Sequence, residues 1–117
     1  MKKSEKNSAL TLSLSAEAKR DLKNIQDYIS NEKESPLTAL KVIEKILDRI
    51  EKLLSLSGSG TLLSAQVNFP TNYRYLKAAG YLIFYRHENS QIFVDRIIHG
   101  KRNYLAILFP SSEDQGD

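Results

Sequence analysis

Residues 80–103, GYLIFYRHENSQIFVDRIIHGKRN, constrain the fold more than any other part of the chain. Two runs rich in aromatic and β-branched residues, 81–85 and 92–98, flank a polar connection at 86–91. Each run is five to seven residues long, which suits a strand and is short for a helix. The second run stops abruptly at His99-Gly100-Lys101-Arg102, where a flexible glycine sits among two cations and a histidine. This stretch therefore predicts both the centre of a sheet and a functional edge where that sheet ends.

Alternation along the first run puts Tyr81, Ile83 and Tyr85 on one face and Leu82, Phe84 and Arg86 on the other. Both faces thus carry large apolar side chains. Helices cover one of them. The other needs the C-terminal segment or another molecule, because a wide exposed apolar patch marks an interface. A protein partner is expected on this ground alone.

Upstream, residues 9–14 alternate, with Leu10, Leu12 and Leu14 on one side of a short strand. Ser15 is the expected N-cap of a helix whose buried stripe is Ala18, Leu22, Ile25 and Ile29, ending near Asn31. Pro36 suits the first turn of a second helix, whose stripe is read as Leu40, Ile43, Leu47, Ile50 and Leu54. The sequence Ser57-Gly58-Ser59-Gly60 ends it. A short link between two amphipathic helices implies an antiparallel hairpin. Residues 61–70 show no readable pattern. Residues 73–77 read as a strand, 78–80 as a tight turn, and 104–109 as a final helical turn or an edge strand. The expected fold class is α+β: a strand, an antiparallel helix hairpin, a three-stranded antiparallel sheet and a short C-terminal segment.

At 117 residues one domain is expected, at 9–110, with a mobile basic arm at 1–8 and an acidic polar tail at 111–117. No apolar run is long enough to span a bilayer and no signal-peptide core follows the first lysines, so a cytoplasmic protein is expected. The absence of cysteine excludes disulfides, cysteine zinc sites and a thiol nucleophile. Two histidines, His87 and His99, are too few for a histidine metal site, and no cofactor is implied. The net charge of +3 is a mild bias toward anionic partners.

The order of elements resembles the RelE/ParE superfamily of toxins from type II toxin–antitoxin modules. The residues that carry the likeness are Ala18, Asp21, Leu22, Ile25, Tyr28 and Ile29 in the first helix. Gly80, Tyr81, Ile83, Tyr85 and Arg86 follow, and then the run Arg96-Ile97-Ile98-His99-Gly100-Lys101-Arg102-Asn103. The resemblance implies a cognate antitoxin as partner and divides by target. A RelE-like protein cleaves messenger RNA on the ribosome, which needs cations and proton-transfer groups around the scissile phosphate. Against that pattern Tyr73 and Tyr75 stand where such relatives carry lysines, Leu82 where they carry an arginine, and Leu108 where they carry a tyrosine; only Arg102 matches.

A ParE-like protein is instead associated with DNA gyrase and has no established nucleolytic centre. Its closing pattern resembles residues 99–103, so the ParE-like branch is favoured: a toxin that binds its target and has no catalytic set. The residues expected to contact target or antitoxin are Leu82, Phe84, Arg86, Arg96, Lys101 and Arg102, with the antitoxin laid across the apolar sheet face and the basic end near Arg102. The alternative is a ribosome-dependent endoribonuclease with a non-standard site of Arg74, His99, Arg102 and Tyr75. His99 is otherwise read as a hydrogen-bonding residue at a strand end, Asp21 and Tyr28 as supports of the fold.

Overall fold

The computed structural model describes residues 10–32 and 35–110. The arm and tail read from the sequence at 1–8 and 111–117 lie outside the described residues. The elements are β1 (Thr11–Leu14), α1 (Ala16–Glu32), α2 (Pro36–Glu51), β2 (Thr61–Leu62), β3 (Arg74–Ala78), β4 (Tyr81–Glu88), β5 (Gln91–His99) and α3 (Tyr104–Leu108). The strands form one sheet in the order β1-β5-β4-β3-β2. Strands β2 to β5 pair antiparallel, and β1 lies parallel beside β5. The expected three-stranded sheet is therefore the middle of a five-stranded one. The extra strand β2 has two residues, too few to show alternation in the sequence.

The helix starts follow from local chemistry. The Ser15 hydroxyl accepts the Ala18 N–H at 2.9 Å and donates to the Asp95 carbonyl at 2.8 Å, so one side chain caps α1 and ties it to β5. Ser35 caps α2 by accepting the Thr38 N–H, with Pro36 in the first turn. The stripe expected on α1 is present: Ala18, Ile25 and Ile29 are buried, and Leu22 packs beside them.

The stripe expected on α2 is not the one that faces the core. Ala39, Ile46, Ile50 and Leu53 are buried, whereas Leu40, Leu47 and Leu54 are exposed. The helix carries two apolar stripes about a quarter-turn apart, and its core-facing stripe is the one that includes a small residue, Ala39, on a helix packed close against α1. Ile50 is the only fully buried member of the expected set, with Ile43 partly covered.

On the helix side of the sheet these residues meet Tyr81, Ile83, Tyr85, Ile92, Val94 and Ile97. The Tyr85 phenol donates to the Ser57 carbonyl at 2.7 Å and accepts the Gly60 N–H at 3.0 Å. A Cβ at Gly60 would lie 2.5 Å from that phenol oxygen, so only glycine fits the approach. The opposite side is closed by the chain itself. Leu63, Tyr75, Leu82, Phe84 and Ile98 form a second cluster, covered by Tyr104, Leu105, Ile107, Leu108 and Phe109.

Strand β5 carries one extra residue. Tyr85 is opposite Val94 and Phe84 is opposite Arg96, which leaves Asp95 without a cross-strand partner. The bulge resets the alternation, so Val94 and Ile97 both enter the helix-side core while Ile98 enters the other cluster. In the β3–β4 turn both Ala79 (φ 54°) and Gly80 (φ 88°) take positive φ, where glycine alone was expected to do so. That pair of values matches the twist of a two-residue hairpin. The Gly80 carbonyl accepts the Gly100 N–H at 3.0 Å, which docks the loop after β5 against this turn.

Candidate functional site

Strand β1 pairs with β5 only as far as Val94. Beyond it, the edge of β5 is met by side chains from the start of α1. The Asp21 carboxylate accepts the Ile97 N–H at 2.8 Å and holds Arg96 through two bonds of 2.8 and 2.9 Å. This fork-on-fork pair fixes α1 over the strand. The Asp21 hydrogen bond raises the Arg96 pKa above its usual value, outweighing the opposing effect of burial. Past this clamp lies an open groove of about 1030 Å³ between α1, the start of α2 and the end of β5. Ile25, Ile29 and Ile97 line it; Tyr28, His99, Lys101 and Arg102 stand around it.

His99 is oriented from two sides. Its ring lies edge-on to Tyr81 with centroids 5.0 Å apart, and its Nδ1 accepts the Lys101 N–H at 3.1 Å. A histidine held this way shapes the loop, in keeping with its reading as a strand-end hydrogen-bonding residue. The His99 carbonyl also accepts the Arg102 N–H at 3.0 Å. The loop therefore presents the Lys101 and Arg102 side chains outward, both exposed, at the mouth of the groove.

The other residues singled out from the sequence are placed differently. Leu82 and Phe84 are buried beneath α3, with Tyr104 5.4 Å from the Phe84 ring, so the sheet face expected to receive an antitoxin is already occupied by the chain's own C-terminal helix. Arg86 stands two positions along β4 from Phe84, the residue opposite Arg96. It pairs with Asp95 at 2.7 Å and Glu88 at 2.7 Å and sits 4.7 Å from the Phe93 ring. The Asp95 hydrogen bond raises its pKa, and burial opposes this. Tyr73 donates to Asp95 at 2.8 Å; burial first and that bond second push its pKa up to about 12. Asn72 donates to Glu88 at 2.9 Å, and that bond, followed by Arg86, lowers the Glu88 pKa. Both arginines expected at an interface are thus engaged within the fold.

The four residues of the ribonuclease alternative do not converge. Arg74 donates to the Gly60 carbonyl at 2.9 Å at the start of β3, opposite Tyr85. His99 is opposite Tyr81, four residues and about 13 Å further along β4. Tyr75 belongs to the cluster under α3, where Gln66 Nε2 donates to its hydroxyl beside a second hollow of about 500 Å³. Tyr28 was missed as a surface residue. Read from the sequence as a support of the fold, it stands at the edge of the α1 stripe and is exposed over the groove.

A small α+β domain whose parallel first strand, helix hairpin and antiparallel strands end in a basic loop defines the class: a RelE/ParE-type toxin fold. Residues 12–104 match the family model described as "ParE toxin of type II toxin-antitoxin system, parDE", and the chain belongs to that family. A solved structure described as "Chromosomal ParDE TA system from P. aeruginosa" is similar with a TM-score of 0.64 at 22% identity, over 79% of this chain and 97% of that one. No curated protein sequence matches the chain significantly. Among the described residues, no helix is long and apolar enough to cross a membrane.

Proposed function

We propose that this ParE-family toxin inhibits growth by binding DNA gyrase, and that a cognate antitoxin neutralises it by occupying the groove between α1 and the end of β5. The observation that carries this reading is the state of the cations. Arg86 and Arg96 are bound to carboxylates of the chain itself, while Lys101 and Arg102 stand exposed at the mouth of an apolar-floored groove. A groove with an isoleucine floor and a cationic mouth suits an amphipathic, acidic protein segment. Recognition of a target by the same loop needs no bond to be made or broken, and Arg74, His99, Arg102 and Tyr75 are too dispersed to surround one phosphate.

Purified toxin is expected to inhibit gyrase supercoiling and to leave messenger RNA intact in a translation extract. Codon-phased cleavage with gyrase unaffected would overturn the reading in favour of the endoribonuclease. Arg102→Ala is expected to reduce toxicity and antitoxin affinity with an unchanged melting profile. If Arg102→Ala unfolds the protein, Arg102 belongs to the scaffold and not to the binding surface.

A further inference from the structure

The loop that carries Lys101 and Arg102 hangs on three consecutive backbone N–H groups. Gly100 donates to the Gly80 carbonyl at 3.0 Å, and Arg102 donates to the His99 carbonyl at 3.0 Å. Between them, Lys101 donates to the Nδ1 atom of the His99 ring at 3.1 Å. The outer two acceptors are carbonyls and do not titrate. The middle one does. Nδ1 accepts only while it carries no proton, so the neutral ring holds its hydrogen on Nε2, on the side of Gly80. A second proton turns both ring nitrogens into donors, and the Lys101 N–H then faces a hydrogen in place of a lone pair.

Nothing around His99 would hold the charged ring in place. From β4 it meets Tyr81, edge-on with centroids 5.0 Å apart. Burial first and Tyr28 second raise the Tyr81 pKa, so this phenol stays neutral and offers no countercharge. From α1 the groove receives the titratable groups Tyr28 and Asp21, and from the start of α2 the hydroxyls of Ser35 and Thr38. Asp21 is the one carboxylate among the described residues that line the groove, and Arg96 and the Ile97 N–H already hold it. The loop itself adds the cations Lys101 and Arg102. A protonated ring therefore loses its bond to the loop and stands beside two like charges. Histidine ordinarily changes charge between about pH 5 and 8.

We propose that His99 is a positioning residue that acts as a proton-sensitive latch. Neutral, it holds Lys101 and Arg102 at the mouth of the groove; protonated, it releases them. The binding surface is then best ordered near neutral pH and loosens in mild acid. This rests on the reading of Lys101 and Arg102 as the cations that meet a partner. The latch itself is a property of the toxin alone and is measured without one.

Backbone NMR of the full-length toxin, titrated from about pH 8 to about pH 5, tests the assignment. The Lys101 amide proton is expected to move with the same midpoint as the His99 ring protons, and further than the Gly100 and Arg102 amides. His99→Asn offers an Oδ1 acceptor in place of Nδ1 and does not titrate, so its Lys101 amide should stay in place across the range. His99→Phe keeps a ring against Tyr81 without an acceptor, and its Lys101 amide should resemble that of wild type in acid at every pH. Inhibition of gyrase supercoiling gives the functional reading. Between about pH 8 and about pH 6, wild type should lose roughly threefold in potency relative to His99→Asn. Near pH 8, His99→Phe should be weaker than wild type by about the same factor, and His99→Asn should recover most of that loss. A Lys101 amide indifferent to the His99 titration overturns the proposal. So does an inhibition profile shared by wild type and His99→Asn, or one in which acid strengthens wild type. A toxin that leaves gyrase untouched overturns the target assigned above instead, and the Lys101 amide then decides the latch alone.

Discussion

On the helix-covered side of the sheet, Tyr81, Ile83, Tyr85, Ile92, Val94 and Ile97 meet two full helices, and the Tyr85 phenol is bonded to backbone at Ser57 and Gly60. On the opposite side, Leu82, Phe84 and Ile98 are closed by a five-residue helix, and the rest of the surface is ionic, with Tyr73, Asp95, Arg86, Glu88 and Asn72 bonded in series. One side draws its strength from buried area, the other from a small apolar lid plus charges that neutralise one another. The difference teaches that an arginine on a strand is not a binding residue until its neighbours on adjacent strands are known.

Paired truncations test the contrast most severely. Ile83→Ala and Phe84→Ala should each cost about 3 kcal/mol or more in urea unfolding, since both side chains are fully buried. A loss at Phe84 less than half that at Ile83 would show that α3 is a loose cover and that the two sides are unequal in packing as well as in chemistry. Next in size, Asp21→Ala leaves Arg96 and the Ile97 N–H without their acceptor and should cost about 2 kcal/mol by the same measurement. A change within experimental scatter would mean that the clamp contributes nothing net to stability.

The smallest effect is the most specific. Tyr73→Phe should cost less than about 1 kcal/mol at neutral pH, because it removes one hydrogen bond of a partly exposed network. At high pH the comparison changes. The folded chain keeps the Tyr73 proton up to about 12, whereas the unfolded chain releases it near the ordinary phenol value of 10.0. Between these values the unfolded state binds fewer protons, so wild-type stability falls as pH rises. Burial also raises Tyr81 and Tyr85, so the variant should show a shallower decline and not a flat line. An identical slope in both proteins would place the Tyr73 shift elsewhere.

Much of this architecture was legible from residue order. The hairpin 81–99 declared itself through run length and aromatic content, and α1 through the spacing of Ala18, Ile25 and Ile29. The rotation of α2 was not legible, because leucines occupy both candidate stripes and periodicity alone cannot say which one meets α1. Nor was the fate of Arg96, whose partner Asp21 lies 75 residues away in sequence. The bulge at Asp95 was hidden as well, since strict alternation misassigns every residue of β5 after the inserted one. In the candidate site, the loop of His99, Lys101 and Arg102 was marked by its composition. Its groove was not, because Tyr28 joins it from a helix far upstream.

The parallel pairing of β1 with β5 has a consequence for how the protein is made. Ser15 and Asp95 bond across 80 residues, so β1 leaves the ribosome well before its partner β5 is synthesised. Until then the helix hairpin has no sheet to lie on, and its apolar face is open to chaperones and proteases. A chain released before β5 is translated cannot close the sheet or build the basic loop beyond it. Premature termination before β5 therefore yields a fragment without the groove or the cations that define the surface.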